Sequence, residues 1–218
     1  PGQPVVVEHV YGETTVTEVP ERIVTIDLQW TDTVLALGVE PVGYTIDSFM
    51  PDETVPWQDL PAGAEALDIS TGLPLEQIAA LRPDLIVGSY SIADQATYDK
   101  LNAIAPTVAV VGDNTQSDDW REVTDLAGEI LDRSEDAADL IQSVDDKIAG
   151  TKDAHPGLDG ASAAFGQISE PGLAVVTDDN DPANTFLSDL GMSVPEEIRS
   201  ASQDGSRAFI AEENIDML

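Results

Sequence analysis

A chain of 218 residues with 42% hydrophobic content is long enough to bury a core, as one large domain or two small lobes. It contains no cysteine, which excludes disulfides and thiolate metal sites. Its 42 acidic residues against 9 basic ones give a net charge of -33, which argues against phosphate backbones and anionic lipid headgroups as partners.

The acids are spread along the chain, as at Asp118-Asp119, Asp145-Asp146 and Glu196-Glu197. Self-repulsion of this size weakens a compact state unless salt screens it, so a salt-loving source is expected. No apolar run approaches the roughly 20 residues that span a bilayer. The chain opens at Pro1 without a basic and then apolar leader, so a signal peptide or lipid anchor is expected to be absent from this stretch.

Val5 to Val10 and Thr14 to Thr17 are β-rich runs around Gly12 and predict a hairpin. Ile23 to Ile26 is a nearly continuous apolar run, the mark of a strand buried on both faces of a parallel sheet. A helix is expected from Thr31 to Leu37, closed by Gly38, and a strand from Pro41 to Tyr44. Asp47 to Thr71, with Pro51, Pro56 and Pro61, is expected to be loop. Pro74 suits the first turn of a helix to Leu81, and Asp84 to Gly88 reads as a strand. Ser91 to Asp94 resembles a capping box opening a helix to Ala103, and Thr107 to Val111 is a strand. Strand and helix thus alternate over short links, the pattern of a parallel α/β unit.

From Asp118 to Lys152 there is no proline, and apolar residues recur at helical spacing from Val123 to Ile148. This predicts one long helix bridging two lobes, closed at His155-Pro156. A second series follows, with strands at Ser162 to Gln167, Leu173 to Thr177 and Arg207 to Ile210. Helices are expected at Asn184 to Leu190 and from Glu212 to Leu218. The expected architecture is therefore α/β, with two α/β lobes and mainly parallel sheets. An N-terminal lobe covers 1–117, a backbone helix 118–154 and a C-terminal lobe 155–218, the last lacking strands at its end.

Catalytic patterns are missing: there is no glycine-rich phosphate loop, nucleophile elbow or paired metal-ligand motif. His9 and His155 are each expected at the surface rather than as a base or metal ligand. Ligands of open α/β sheets bind outside the carboxyl ends of the strands. Gln29 and Trp30, Tyr44 to Asp47, and Tyr90 follow predicted strands and so are candidate ligand contacts. Trp30 and Tyr90 are candidate walls of a cleft, the plain alternative being that either packs inside its own lobe. Trp57, in the proline-rich loop, could face a ligand, while Trp120 pins the long helix. Gln167 ends a strand of the second lobe. Arg207 is the candidate cleft donor there, with a structural salt bridge as the alternative.

The runs Pro20 to Thr25, Ala36 to Gly43, Leu75 to Ile86 and Phe186 to Gly191 resemble the periplasmic-binding-protein family of carriers for iron siderophores, vitamin B12 and haem. So does Ile210 to Leu218, with Ala211 where the family commonly has serine. The opening hairpin is most similar to the iron-siderophore branch. The resemblance implies two lobes joined by a rigid helix, a ligand cleft and delivery to the permease of an ABC importer. It also implies one exposed glutamate per lobe that docks on the permease, at Glu76 and Glu213. Each of those also lies early in a predicted helix, where a carboxylate is simply favourable.

The implied protein is an extracytoplasmic, monomeric carrier rather than an enzyme, attached to a membrane only through a lipid anchor. The siderophore would supply every iron ligand, so no cofactor or protein metal ligand is expected. A vitamin B12 or haem carrier of the same fold is the alternative, with Tyr44 or Tyr90 as a haem ligand. An α/β enzyme using a carboxylate such as Asp47 is a further one.

Overall fold

In the computed structural model, residues 4–46, 55–111, 118–169, 172–203 and 205–211 are described. The chain divides into two compact units, Pro1–Ile141 and Gln142–Leu218. The expectations for Asp47, for Glu213 and for a helix from Glu212 to Leu218 lie outside the described residues.

The first unit opens with the antiparallel hairpin of β1 (Val5–His9) and β2 (Gly12–Val16). Its centre is a five-stranded sheet of β3 (Ile23–Thr25), β4 (Gly43–Ile46), β5 (Glu65–Asp68), β6 (Leu85–Val87) and β7 (Thr107–Val108). The strand order is β5-β4-β3-β6-β7 and every pairing is parallel. Side chains of a strand alternate between faces. Accordingly Ile23, Leu85 and Val87 pack with Trp30 and Val34 of α1 (Leu28–Ala36) and Val123 and Ile130 of α4 (Trp120–Ile130). Val24 and Ile86 pack on the other face, with Ile78 of α2 (Leu75–Ala80) and Leu101 of α3 (Gln95–Asn102). Burial of such an aliphatic side chain contributes about 1.5–3 kcal/mol, so these layers carry the unit.

Local caps differ from the sequence expectations. The helix expected from Thr31 begins three residues earlier, because Asp27 caps it by accepting from Trp30 N at 2.9 Å. It ends where Gly38 adopts φ +71, a left-handed conformation that glycine enters without a Cβ penalty. The cap of α3 is Asp94, not Ser91, and its carboxylate accepts from Thr97 N at 2.7 Å. Strand β5 falls in the stretch expected to be loop; it buries only Leu67 and so shows no apolar run.

His9 is buried, contrary to the surface position expected for it. Its Nε2 pairs with Thr14 Oγ1 at 3.0 Å, and its Nδ1 accepts from Tyr11 N at 3.3 Å. Thr14 Oγ1 donates to Thr107 O at 2.6 Å and so accepts from both His9 Nε2–H and Tyr98 OH. Tyr11 stacks on Tyr98 and donates to Ile92 O at 2.7 Å. The hairpin is thereby fastened to β7 and α3 through polar groups that find their partners, as buried polar groups must.

The single helix expected over 118–154 is two: α4 and α5 (Ser134–Ala154). Asp132 takes φ +55, Arg133 N donates to Gly128 O at 2.7 Å and Asp132 N to Glu129 O at 3.4 Å. That is a Schellman stop with aspartate in the place glycine commonly takes, so no turn residue betrayed it. Helix α4 packs wholly within the first unit, and the division between the units falls inside α5. At 1.5 Å per residue the 21 residues of α5 run about 31 Å.

In the second unit β8 (Gly166–Ser169), β9 (Gly172–Val176) and β10 (Arg207–Ala211) form a sheet in the order β10-β9-β8. These three described strands are antiparallel, not parallel as expected. Only two residues separate β8 from β9, whereas a parallel return needs a crossover of a dozen or more. Helices α6 (Pro182–Asp189) and α7 (Glu196–Ala201) lie in the same unit, and Ile198, Val175, Ala208 and Ile210 pack in its core.

Candidate functional site

In the first unit, the segments leaving the carboxyl ends of β3, β6 and β7 converge on two buried carboxylates. Asp27, which follows β3, is fully buried, and Asp118, which precedes α4, is 1% exposed. Ser89 lies between them in the hydrogen-bond network: its N–H donates to Asp27 Oδ2 and its hydroxyl to Asp118 Oδ2, the latter at 2.6 Å. The remaining oxygens are also used. Asp27 Oδ1 caps α1, and Asp118 Oδ1 accepts from Val111 N at 2.9 Å. Burial pushes the Asp27 carboxyl up to about 6 from its ordinary 3.8. The bonds from Trp30 and Ser89 oppose that rise, and the charges of Asp118 and Asp32 add to it.

Three of the residues selected from the sequence surround this network. Gln29 is half-buried, and its amide donates to Asp118 O at 2.8 Å. Tyr90 is 43% exposed, and its hydroxyl accepts from Leu28 N, in the first turn of α1, at 3.4 Å. Trp57 is 70% exposed, and its indole N–H donates to Asp32 Oδ2 at 3.1 Å. The Gln58 amide holds the other oxygen of Asp32. A single helix, α1, thus ties down one glutamine and two exposed aromatic rings.

Trp30 does not join them. It is 1% exposed and packs in the core beneath the sheet, so it is not a cleft wall. The earlier start of α1 is the reason: one turn past Asp27, the helix directs Trp30 inward and leaves Gln29 half-exposed. Tyr44 is half-buried within β4, opposite Thr25 and Ala66. Glu76 is exposed in the first turn of α2.

In the second unit the sheet register groups the other two. Gln167 and Phe209 flank Ala174 in one cross-strand row, and Arg207 lies opposite Val176 on the same face. The opposite face carries the buried Ala208 and Ile210. Phe209 is 71% exposed, and Arg207 makes no salt bridge among the described residues. This face thus offers an aromatic ring, an amide and a guanidinium together.

A cavity of about 280 Å³ in the second unit is lined by Ala163, Ala164, Leu173, Val175 and Ile198. It touches none of the selected residues. No group of three or more His, Asp or Glu among the described residues could hold a metal ion. No helix among them is long and apolar enough to cross a membrane.

Sequence reasoning missed Asp27, Asp32, Asp118 and Phe209. An aspartate between an apolar strand and a helical run signals a cap, which could have found Asp27. Asp118 is one acid among many and carries no such signal.

The family described as periplasmic binding protein matches residues 23–218. A probable siderophore-binding lipoprotein of Bacillus subtilis is 31% identical over 137 residues, 61% of this chain and 40% of that protein. A periplasmic solute binding protein from Mycobacterium smegmatis superposes with a TM-score of 0.76 at 31% identity, covering 99% of this chain and 81% of its own. A Streptococcus pneumoniae protein solved in complex with ferrichrome gives a TM-score of 0.79 at 28% identity, covering 96% of this chain and 74% of its own. The chain spans about half the length of the curated relatives it matches.

Proposed function

The chain belongs to the periplasmic binding protein family, and on that premise we propose that it captures a ferric-siderophore complex outside the cytoplasm and hands it to an ABC importer. The observation that carries this reading is the pair of exposed aromatics hydrogen-bonded to α1. Trp57 and Tyr90 present apolar rings to solvent while their polar atoms are engaged within the chain. Exposed aromatic area of this kind suits a bulky ligand with an apolar scaffold. The siderophore-binding relative and the ferrichrome complex support the choice of cargo.

Mechanistically, the chain's work is binding and release rather than bond-making. The siderophore holds the iron, so the first unit supplies ring surface from Trp57 and Tyr90 and a hydrogen bond from Gln29. Arg207 supplies a charge-assisted donor for an anionic chelate. Glu76, exposed at the start of α2, and Glu213 dock on arginines of the permease. An N-terminal lipid anchor fits the lipoprotein relative.

The test is a titration of the protein in high salt with ferrichrome, ferric dicitrate, haem and cobalamin, followed by tryptophan fluorescence. Saturable one-to-one quenching by a ferric siderophore is expected. Quenching by haem or cobalamin alone would overturn the cargo assignment, and silence from all four would overturn the carrier reading.

A further inference from the structure

The two buried carboxylates of the first unit have no part in the ligand contacts above, and a carrier has no catalytic use for them. Taking two carboxylates out of water costs several kcal/mol each unless they are fully hydrogen-bonded. Here all four oxygens accept a bond. What they hold is informative. Asp27 fixes the first turn of α1, where Leu28 N meets the Tyr90 hydroxyl. Ser89, the residue before Tyr90, spends its N–H on Asp27 and its hydroxyl on Asp118. The Asp118 carbonyl then receives Gln29. Three segments from three strand ends are thus joined at one serine.

We infer that Asp27 and Asp118 are positioning residues of the ligand face, setting Tyr90 through Ser89 and Gln29 through the backbone of Asp118. The inference rests on the carrier reading for what the face binds, but not for how the face is held. A proton added to either acid converts an accepting oxygen to a donor and loosens what it holds. Asp118, Asp32 and the Tyr90 hydroxyl are the titratable groups around Asp27 that enter this balance. Asp27, with its raised value near 6, is the acid that takes up the proton. Loss of grip on Tyr90 and Gln29 in mild acid follows.

Ser89→Ala removes one hydroxyl and leaves both acids, so it is the mild variant; Asp118→Asn and Asp27→Asn are the stronger ones. Ferrichrome affinity is expected to fall about tenfold in Ser89→Ala, and the unfolding midpoint to fall modestly as well, because the buried Asp118 carboxylate loses one of its bonds. Wild-type affinity is expected to fall several-fold between about pH 7.5 and pH 5, and Asp27→Asn to show low affinity without that slope. In the unliganded protein the Ser89 and Trp30 amide resonances should move together with a midpoint near 6. Unchanged affinity in Ser89→Ala together with a flat wild-type pH profile would overturn the inference and leave the carrier reading standing. If wild-type protein binds no ferrichrome, the carrier reading has failed for that cargo, and the amide titration decides the positioning role. Resonances that do not move would then overturn it.

Discussion

The indole nitrogen of Trp57 is bonded to the Asp32 carboxylate at 3.1 Å while most of the ring stands in solvent. A tryptophan with its polar atom occupied and its apolar face bare is already oriented for a partner, so little ordering remains to be done on binding. Trp57→Ala is expected to weaken binding of a ferric siderophore at least about tenfold and to remove most of the fluorescence change. Asp32→Asn, which weakens the acceptor, is expected to show a smaller loss. Titration of the three proteins side by side checks this.

The hairpin anchor predicts acid sensitivity. Burial holds His9 below its ordinary 6.5, because desolvation disfavours the charged imidazolium. The folded state therefore binds fewer protons at His9 than the unfolded state does. That contribution to stability is complete above 6.5 and declines as pH falls through this value. Asp27 acts in the opposite sense. Its raised value makes stability decline as pH rises from 3.8 to about 6. The His9 effect is thus read as a difference. Between about pH 7.5 and pH 5, wild type is expected to lose more stability than His9→Gln in urea unfolding.

The corner between α4 and α5 predicts a packing defect that can be repaired. A Cβ on Gly128 would lie 2.5 Å from the Ala137 Cβ and 3.2 Å from Arg133 O. Gly128→Ala is expected to destabilise by about 1–3 kcal/mol, after the helix-propensity gain of alanine is overcome. Ala137→Gly in the same chain should recover part of the loss by clearing the clash. Urea midpoints of both variants provide the check.

These residues also show what could be read before the fold was known. Ile23 to Ile26 and Leu85 to Val87 announced a parallel sheet because strands buried on both faces are apolar throughout. β5 escaped because only Leu67 of its four residues is buried. Trp30 was misplaced because one helix start, set by Asp27, decides which of two neighbouring residues points inward. The α4–α5 break was hidden by an aspartate in a left-handed conformation. Gln29 and Tyr90 could be selected as polar or aromatic residues following strands, and Trp57 as an aromatic in a proline-rich loop. Of the acids behind them, Asp27 is legible only as a helix cap, and Asp118 is not legible at all, since burial and not residue type separates it from the other carboxylates.

The net charge of -33 predicts that salt stabilises the chain. Screening shortens from about 10 Å at 0.1 M to about 3 Å at 1 M, which relieves repulsion among surface carboxylates. Thermal midpoints should rise steadily across a potassium chloride series. A flat series would contradict the salt-loving origin proposed from composition.

The most direct test of the central claim follows iron and siderophore together. The protein, incubated in high salt with a slight excess of radioiron-loaded ferrichrome, is passed over a size-exclusion column. The account predicts that iron and siderophore co-elute with the protein at one of each per chain, and that the siderophore is recovered chemically unchanged. Elution of both with the small-molecule fraction, or recovery of a cleaved siderophore, would contradict it.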